Sequence, residues 1–453
     1  MDRDRARWPL TLALCGGYFL VLLDVTVVNV ALPQIGSGLD ADGARLAWVV
    51  DAYAVPLAAL LLASGAIGDR LGHRRVVLLG LAGFGAASVL CALAPSVGIL
   101  VTARALQGSG AALMLPGTLA LLVEETADEG ARSRLVGVWA AIGGTALPAG
   151  PVIGGLLVQS AGWRAVFWLG VPVTALAVIP VLRLSREEAG RARAGTVDRA
   201  GAALLVAGLG CLVTAIIQGP GSPGLGAFLG AAAAGTAVWF VTVERRTEHP
   251  LLTVPRGARG TLAGACVVAG LMNLCVLGGL FLLTQFFQDV RGLSPLSAGL
   301  ATTPAMVPLP FLGAPAGRLS ARIGVWRAAA LGLLVAAGGF AGIAATVGGS
   351  GYAVLLLFLA LWGTGLGILT PSIVSAALLA VPGAPGVASG AGNTSRQTGG
   401  ALGVAIFAAV AGPAGADGFL PHCAGLFAAG ALVFALLGVL CLAVPRAPGP
   451  GPA

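Results

Sequence analysis

Charge is scarce in this 453-residue chain, because charged residues make up only 10% of it and every one of its 26 basic residues is arginine. Soluble globular proteins carry about 25% charged residues, so this chain cannot cover itself with a water-facing surface. The 57% of residues that are hydrophobic run in long blocks, and roughly 20 apolar residues make one bilayer crossing. Because a backbone in lipid must satisfy its own hydrogen bonds, the sequence predicts an all-α membrane protein.

Patterns typical of enzymes and nucleic-acid-binding proteins are also missing. The sequence contains no phosphate-binding loop, metal-ligand cluster or catalytic-triad spacing. Its seven cysteines lie in apolar runs and show no C-x-x-C spacing. The arginines are spread along the chain, so the net charge of +8 does not indicate nucleic acid as a partner. We expect no metal and no cofactor, only a lipid bilayer and small solutes as partners.

The apolar blocks predict fourteen membrane spans. With an inside N-terminus, 21 arginines fall in inside segments and only Arg45, Arg164 and Arg291 fall outside. This asymmetry is typical of membrane topology, and it predicts a multi-pass protein of the cytoplasmic membrane with both termini inside. The approximate spans are 10–31, 46–67, 76–94, 98–122, 134–158, 164–182, 200–218, 225–243, 261–284, 296–316, 327–347, 353–377, 387–411 and 423–444.

Two inside loops indicate an internal repeat. The chain reads GAIGDRLGHRR from Gly65 to Arg75 and GAPAGRLSARIG from Gly313 to Gly324. Repeated bundles around a central site are the architecture of many secondary transporters. We therefore predict an N-terminal six-helix bundle over residues 1–184 and a C-terminal six-helix bundle with a short tail over 260–453. A linker with two extra spans over 185–259 joins them.

Four stretches carry a family resemblance. The loop Gly65–Arg75 resembles the inside-loop motif of the major facilitator superfamily. The stretches LDVTVVNVALP (23–33), RALQGSG (104–110) and GPVIGG (150–155) resemble motifs of its fourteen-span drug:proton antiporter branch. Ala146 stands where the last motif usually has glycine. The resemblance implies the major facilitator fold and proton-driven efflux of amphipathic, often cationic drugs or antibiotics, with no protein partner required.

Asp24, Asp51 and Arg104 are the candidate proton-coupling residues. A charge inside a membrane helix is costly and is a functional candidate by default. Asp24 lies firmly inside the first span, and Asp51 lies near the outer end of the second. A carboxyl that binds either a proton or a cationic substrate couples the two flows. The alternatives are an Asp24 bonded only to Thr26 or to backbone, and an Arg104 in a fixed internal salt bridge.

The fifth predicted span contains Gly150, Pro151, Gly154 and Gly155. Proline removes a helix hydrogen bond and bends the helix, and small residues let a neighbouring helix approach and slide. The resemblance associates this helix with the interface between halves and with antiport. Plain tight packing is the alternative.

The inside loop between spans two and three carries both acidic and basic residues. A charge cluster there can latch one conformation and release in another. The alternative is that its arginines only anchor the topology, although Asp69 is harder to explain that way. The candidate gating residues are Gly65, Asp69, Arg70, Gly72, Arg74 and Arg75.

Polar residues inside the spans are the candidates for a substrate cavity. The sequence predicts no buried acid in the second half. We interpret the stretch from Asn393 to Gln397 as a polar helix start that faces either substrate or solvent. The polar candidates of the second half are Asn273, Gln285, Asn393, Arg396 and Gln397. The predicted cavity residues are Thr26, Asn29, Gln107, Asn393 and Gln397.

Two other functions stay open on the sequence alone. The same fold would also suit a dedicated exporter or an importer of one metabolite. A membrane enzyme or receptor is a different class, and no catalytic spacing in the sequence supports it.

Overall fold

The computed structural model describes residues 8–124, 129–184, 199–246, 256–349, 351–381 and 385–444. Helices account for nearly all of these ranges, and no strand occurs within them. Long apolar runs form helices here because each backbone N–H finds its acceptor within the same segment. The prediction of an all-α protein is confirmed.

Sixteen α-helices make up the described chain, with a π-helical turn at Phe286–Val290 and 3₁₀ turns at Arg256–Ala258 and Thr303–Ala305. In chain order the α-helices are α1 Trp8–Leu39, α2 Gly43–Leu71, α3 His73–Ala92, α4 Val97–Glu124, α5 Glu129–Ala161, α6 Arg164–Trp168, α7 Gly170–Leu184, α8 Arg199–Gln218, α9 Pro223–Arg246, α10 Arg259–Gln285, α11 Pro295–Thr302, α12 Pro308–Ile323, α13 Val325–Thr346, α14 Tyr352–Ala380, α15 Pro385–Ala411 and α16 Phe419–Ala443.

Twelve helical stretches of the described chain are long and apolar enough to cross a membrane. This makes the chain a multi-pass membrane protein. The sequence predicted fourteen spans, and the two that differ are α8 and α15. The apolar part of α8 is the short stretch Ala203–Gln218, and α15 carries the polar stretch 393–397 in its interior.

The same order of helix contacts occurs twice along the chain. In the first part α1 packs on α5, α2 on α4 and α3 on α4. In the second part α10 packs on α15, α12 on α14 and α13 on α14. The two sets meet where α2 contacts α15 and where α5 contacts α11. Helices α8 and α9 pack on each other, and α8 also contacts α2 and α15.

Paired glycines set the closest helix contacts, and they recur in both sets. A Cβ on Gly80 of α3 would lie 2.9 Å from the carbonyl oxygen of Gly110 of α4. A Cβ on Gly332 of α13 would lie 2.8 Å from the carbonyl oxygen of Gly365 of α14. Small residues let membrane helices approach this closely and gain dispersion contacts along the crossing. The internal repeat therefore extends to the residues that hold neighbouring helices together.

Candidate functional site

A buried polar cluster lies at the centre of the first helix set. It joins α1, α3 and α4, whose surroundings are otherwise apolar. Asp24 is 4% exposed and Arg104 is 1% exposed. The cluster consists of Asp24 on α1, Ser88 and Cys91 on α3, and Arg104 and Gln107 on α4.

An ion pair between Arg104 and Asp24 is the core of this cluster. The Arg104 Nη1 group donates to Asp24 Oδ2 and also to Gln107 Oε1, at 2.7 Å. Gln107 Nε2 in turn donates to Ser88 Oγ at 2.9 Å and lies 3.4 Å from Asp24 Oδ1. Arg104 Nε donates to the carbonyl of Val49 on α2 at 3.0 Å. Breaking a buried pair of this kind by removing one partner leaves an uncompensated charge.

Two aromatic rings enclose the guanidinium of Arg104. Its Cζ atom lies 4.3 Å from the ring centroid of Tyr53 and 5.8 Å from that of Phe167. Ring faces attract a cation, more strongly when water is excluded. The Tyr53 hydroxyl donates to the Val21 carbonyl at 3.1 Å, which fixes the ring between α1 and α2. Arg104 is therefore held by a carboxylate, an amide, a carbonyl and two ring faces.

Asp51 on α2 is in a very different environment. It is fully buried at 0% exposure, and neither of its carboxylate oxygens has a hydrogen-bond partner among the described residues. No ion pair to it occurs in that part of the chain either. An ionised carboxylate in such a place is very costly. The two buried acids thus differ in kind, because Asp24 is paired and Asp51 is alone.

The predicted cavity residues lie on three helices, α1, α4 and α15, and their common role stays a prediction. Thr26 and Asn29 on α1 are buried, and Thr26 Oγ1 donates to the Leu23 carbonyl at 3.1 Å. Gln107 belongs to the ion-pair cluster. Asn393 and Gln397 are half-buried on α15. They lie about two or more turns after its first residue, so the helix begins earlier than the predicted polar start.

The glycine motif of α5 divides between two neighbours. Gly154 faces α1, where an added Cβ would lie 2.9 Å from the carbonyl oxygen of Val27, and Gly150 faces Thr26 of the same helix. Gly155 faces α11, where an added Cβ would lie 2.6 Å from Leu296 Cα. This helix consequently packs against its own set and against the other set at once.

The inside-loop motif joins α2 to α3. Gly72 connects the two helices with φ of 87°, a conformation that favours glycine. Arg74 is half-buried and donates to the carbonyls of Val181 and Leu182, at 3.4 and 2.7 Å, while Arg75 is exposed. The side chains of Asp69 and Arg70 are outside the described part of the structure, so the gating role stays a prediction.

The second helix set has a cluster of aromatic rings in its core, whereas the core of the first contains an ion pair. The rings of Trp362, Phe427 and Phe434 lie 5.0, 5.0 and 5.2 Å from the ring of Phe340, all at steep angles. Edge-to-face contacts of this kind stabilise a fixed core. No acid of the second set is buried among the described residues, as the sequence predicted.

Sequence reasoning missed several members of the cluster. Tyr53 and Phe167 lie on other helices, and no local spacing links them to Arg104. Cys91 was interpreted only as a small packing residue, although its thiol lies 3.7 Å from Gln107 Oε1. The spacing of Arg104 and Gln107 did predict that these two side chains are neighbours, since residues three apart share a helix face.

Two matching sets of membrane helices, the first with a buried ion pair at its centre, have the architecture of many secondary transporters. Residues 14–404 match the family model of the Major Facilitator Superfamily. The chain belongs to that superfamily, and it is a transporter and not an enzyme.

Individual proteins agree with this assignment. The chain is 35% identical to the tetracenomycin C resistance and export protein of Streptomyces glaucescens, over 88% of this chain and 75% of that one. It is also 35% identical to the multidrug resistance protein Stp of Mycobacterium tuberculosis, with the same coverage. The fold is similar to that of a partially occluded inward-open xylose transporter XylE from E. coli, with a TM-score of 0.67, 14% identity, and 97% and 98% of the two chains covered.

Proposed function

We propose that this protein exports amphipathic drugs or antibiotics in exchange for protons across the cytoplasmic membrane. Similarity to proteins named for antibiotic resistance, export and multidrug resistance supports drug efflux as the activity. The proposal places the chain in the fourteen-span drug:proton antiporter branch, with both termini inside. Residues 1–184 and 260–453 are its two bundles, and α8 and α9 are the linker spans.

The buried pair of Asp24 and Arg104 is the observation that carries proton coupling. Burying two charges in a membrane interior is expensive, and a hydrophobic pair of similar volume would pack there at lower cost. The arginine stays protonated at any working pH, so Asp24 is the member that exchanges a proton. Protonation of Asp24 would release Arg104 from it, and this changes the contacts between α1 and α4.

Asp51 gives this mechanism a second acidic group. A carboxyl buried without a partner costs far less in its neutral form than in its charged form. In this proposal Asp51 therefore holds a proton while Asp24 provides the countercharge of Arg104. Release of that proton requires a conformation in which water reaches α2. Asp24 and Asp51 would then bind and release their protons in different states of the transport cycle.

The glycine motif of α5 supplies the moving contact in this proposal. Gly155 lies at a contact between the two helix sets, while Gly150 and Gly154 keep α5 against α1. A change at Asp24 on α1 can therefore reach the contact between α5 and α11 through one rigid helix. Alternating access then takes the form of one set moving against the other.

Accumulation measurements test the proposed function directly. Drug-sensitive cells that express the protein should accumulate less of at least one dye from a panel of planar cations and anions, with ethidium and fluorescein among them, than cells with an empty vector. A proton uncoupler should abolish the difference, because it removes the driving gradient. Equal accumulation of every dye with and without the protein would reject efflux, and greater accumulation with it would favour an importer. If the protein lowers the accumulation of one compound class only, the result would favour a dedicated exporter.

Substitution of Asp51 separates a proton carrier from a structural group. Asp51→Asn keeps the shape and removes the ionisable proton, so we expect an equally or more stable protein whose proton-driven export falls by about tenfold or more. Thermal unfolding in detergent and export in inside-out vesicles measure the two effects. Asp51→Asn with wild-type export would show that this acid takes no part in coupling.

A further inference from the structure

Arg396 is a cation with no acid beside it. It lies on α15, within the second helix set, and it is only half-buried. No carboxylate pairs with it among the described residues, in contrast to Arg104, which pairs with Asp24. Isolated charges in membrane helices are rare and face a cavity or a ligand path by default. The proposed proton pathway does not use this residue.

The backbone around Arg396 is firmly held. Asn273 on α10 donates from Nδ2 to the Arg396 carbonyl at 2.7 Å, and Ser395 Oγ donates to the Cys266 carbonyl at 2.6 Å. The guanidinium itself has less support, since its Nη2 group donates to Asn393 Oδ1 at 3.0 Å. A guanidinium has five N–H donors, and this amide is the one acceptor found for them in the described ranges. The side chain is positioned, and most of its donors remain available.

The guanidinium borders an open cleft between α10, α14 and α15. The cleft is shallow, with a cavity volume of about 50 Å³, and is lined mainly by aliphatic residues, among them Ala269, Ile373 and Ala377. Asn393 and Ser389 are its polar neutral residues, and Arg396 is its charged one. An apolar wall with a few polar groups that fix orientation is typical of small-molecule sites. The positive charge at its border selects against a cationic ligand.

An aromatic pair of the first helix set belongs to the wider surroundings of Arg396. Tyr18 on α1 lies within range of the electric field of the guanidinium. Its ring stacks on Trp139 of α5, with centroids 3.7 Å apart and planes 11° apart. Gly143 leaves the space that the Tyr18 ring occupies, because an added Cβ would collide with that ring. Both rings are half-buried, so part of this flat stacked pair is accessible.

We propose that Arg396 binds the acidic group of an aromatic substrate, so that the preferred cargo is a planar carboxylate or phenolate. A guanidinium matches the two oxygens of a carboxylate in geometry and stays charged. The aliphatic cleft is too small for the whole substrate, so it contacts one edge of the apolar body beside the charge. This inference rests on the proposed efflux function and narrows its substrates to weak acids. It also predicts that cationic drugs are poorer substrates than anionic ones of the same shape.

Two xanthene dyes of opposite charge test the proposal. Fluorescein is an anion and rhodamine 6G is a cation, and they share the planar three-ring scaffold. Proton-driven transport of each dye is measured in proteoliposomes containing the wild type, Arg396→Gln or Arg396→Lys. Arg327→Gln is the control, because Arg327 is an exposed arginine of the same helix set. Thermal stability of each variant is measured in parallel.

We expect the wild type to transport fluorescein faster than rhodamine 6G. Arg396→Gln should lower fluorescein transport by about 10- to 100-fold, the factor expected for loss of a charged hydrogen bond. It should leave rhodamine 6G transport unchanged or raise it. Arg396→Lys should keep part of the fluorescein transport, since it keeps the charge without the planar fork. Arg327→Gln should behave as the wild type.

Other results would overturn the proposal in distinguishable ways. Transport of rhodamine 6G but not of fluorescein by the wild type would reject the weak-acid substrate and leave drug efflux standing. An equal loss of both dyes in a stable Arg396→Gln protein would assign the residue to the transport cycle instead of to substrate selection. Transport of neither dye, together with unchanged accumulation of every dye of the panel in cells, would reject efflux itself.

Discussion

Asp24→Asn should reduce proton-driven export to the level of vesicles without the protein. The substitution keeps the size of the side chain and removes both the proton site and the countercharge of Arg104. Arg104 would remain 1% exposed between α2 and α4 with its carboxylate lost, and a buried charge left alone costs about 3–5 kcal/mol of stability. The variant should therefore show both a lower thermal midpoint and no coupled export.

A double variant separates these two effects. Asp24→Asn combined with Arg104→Gln removes the uncompensated charge, so we expect the thermal midpoint to recover towards that of the wild type. Export should not recover, because the proton site is still missing. Restored export in the double variant would show that the pair is only structural. Wild-type export by Asp24→Asn alone would remove Asp24 from the coupling mechanism.

Gly155→Ala should impair export strongly through a single added methyl group. The new Cβ would lie 2.6 Å from Leu296 Cα and 2.7 Å from the Pro295 carbonyl oxygen. Both are backbone atoms, which cannot move aside as a flexible side chain can. Overpacking of this kind costs about 1–3 kcal/mol, and about 1.4 kcal/mol changes a conformational equilibrium tenfold. We expect the contact between α5 and α11 to open and the transport cycle to stall.

The same helix provides the matched control for this variant. Gly144 lies on α5, and an added Cβ there has no neighbouring atom within 4 Å. Gly144→Ala should therefore export normally. In a background without other cysteines, a cysteine at half-buried Val152 reports opening through its rate of reaction with a maleimide. Faster labelling is expected in Gly155→Ala and not in Gly144→Ala, and equal effects of the two would contradict a specific contact.

The fold class was predictable because lipid leaves the backbone few choices. Long apolar blocks must form helices, and their lengths match the bilayer. The count of spans was less predictable, since α15 has a polar interior and the apolar part of α8 is short. The polar residues inside α15 include Asn393 and Arg396, which lie beside the cleft. A local hydropathy count cannot distinguish such a helix from a loop.

The sequence by itself determined a helical membrane protein, its internal repeat and the rarity of buried charge at Asp24, Asp51 and Arg104. Tertiary structure alone decided how those charges differ. Pairing depends on which helices are neighbours, and α4 brings Arg104 to Asp24 while Asp51 on α2 receives no partner in the described chain. It also decided the setting of Arg396, because the cleft arises where α10, α14 and α15 meet. Contacts between residues far apart in the chain carry no local signal in a single sequence.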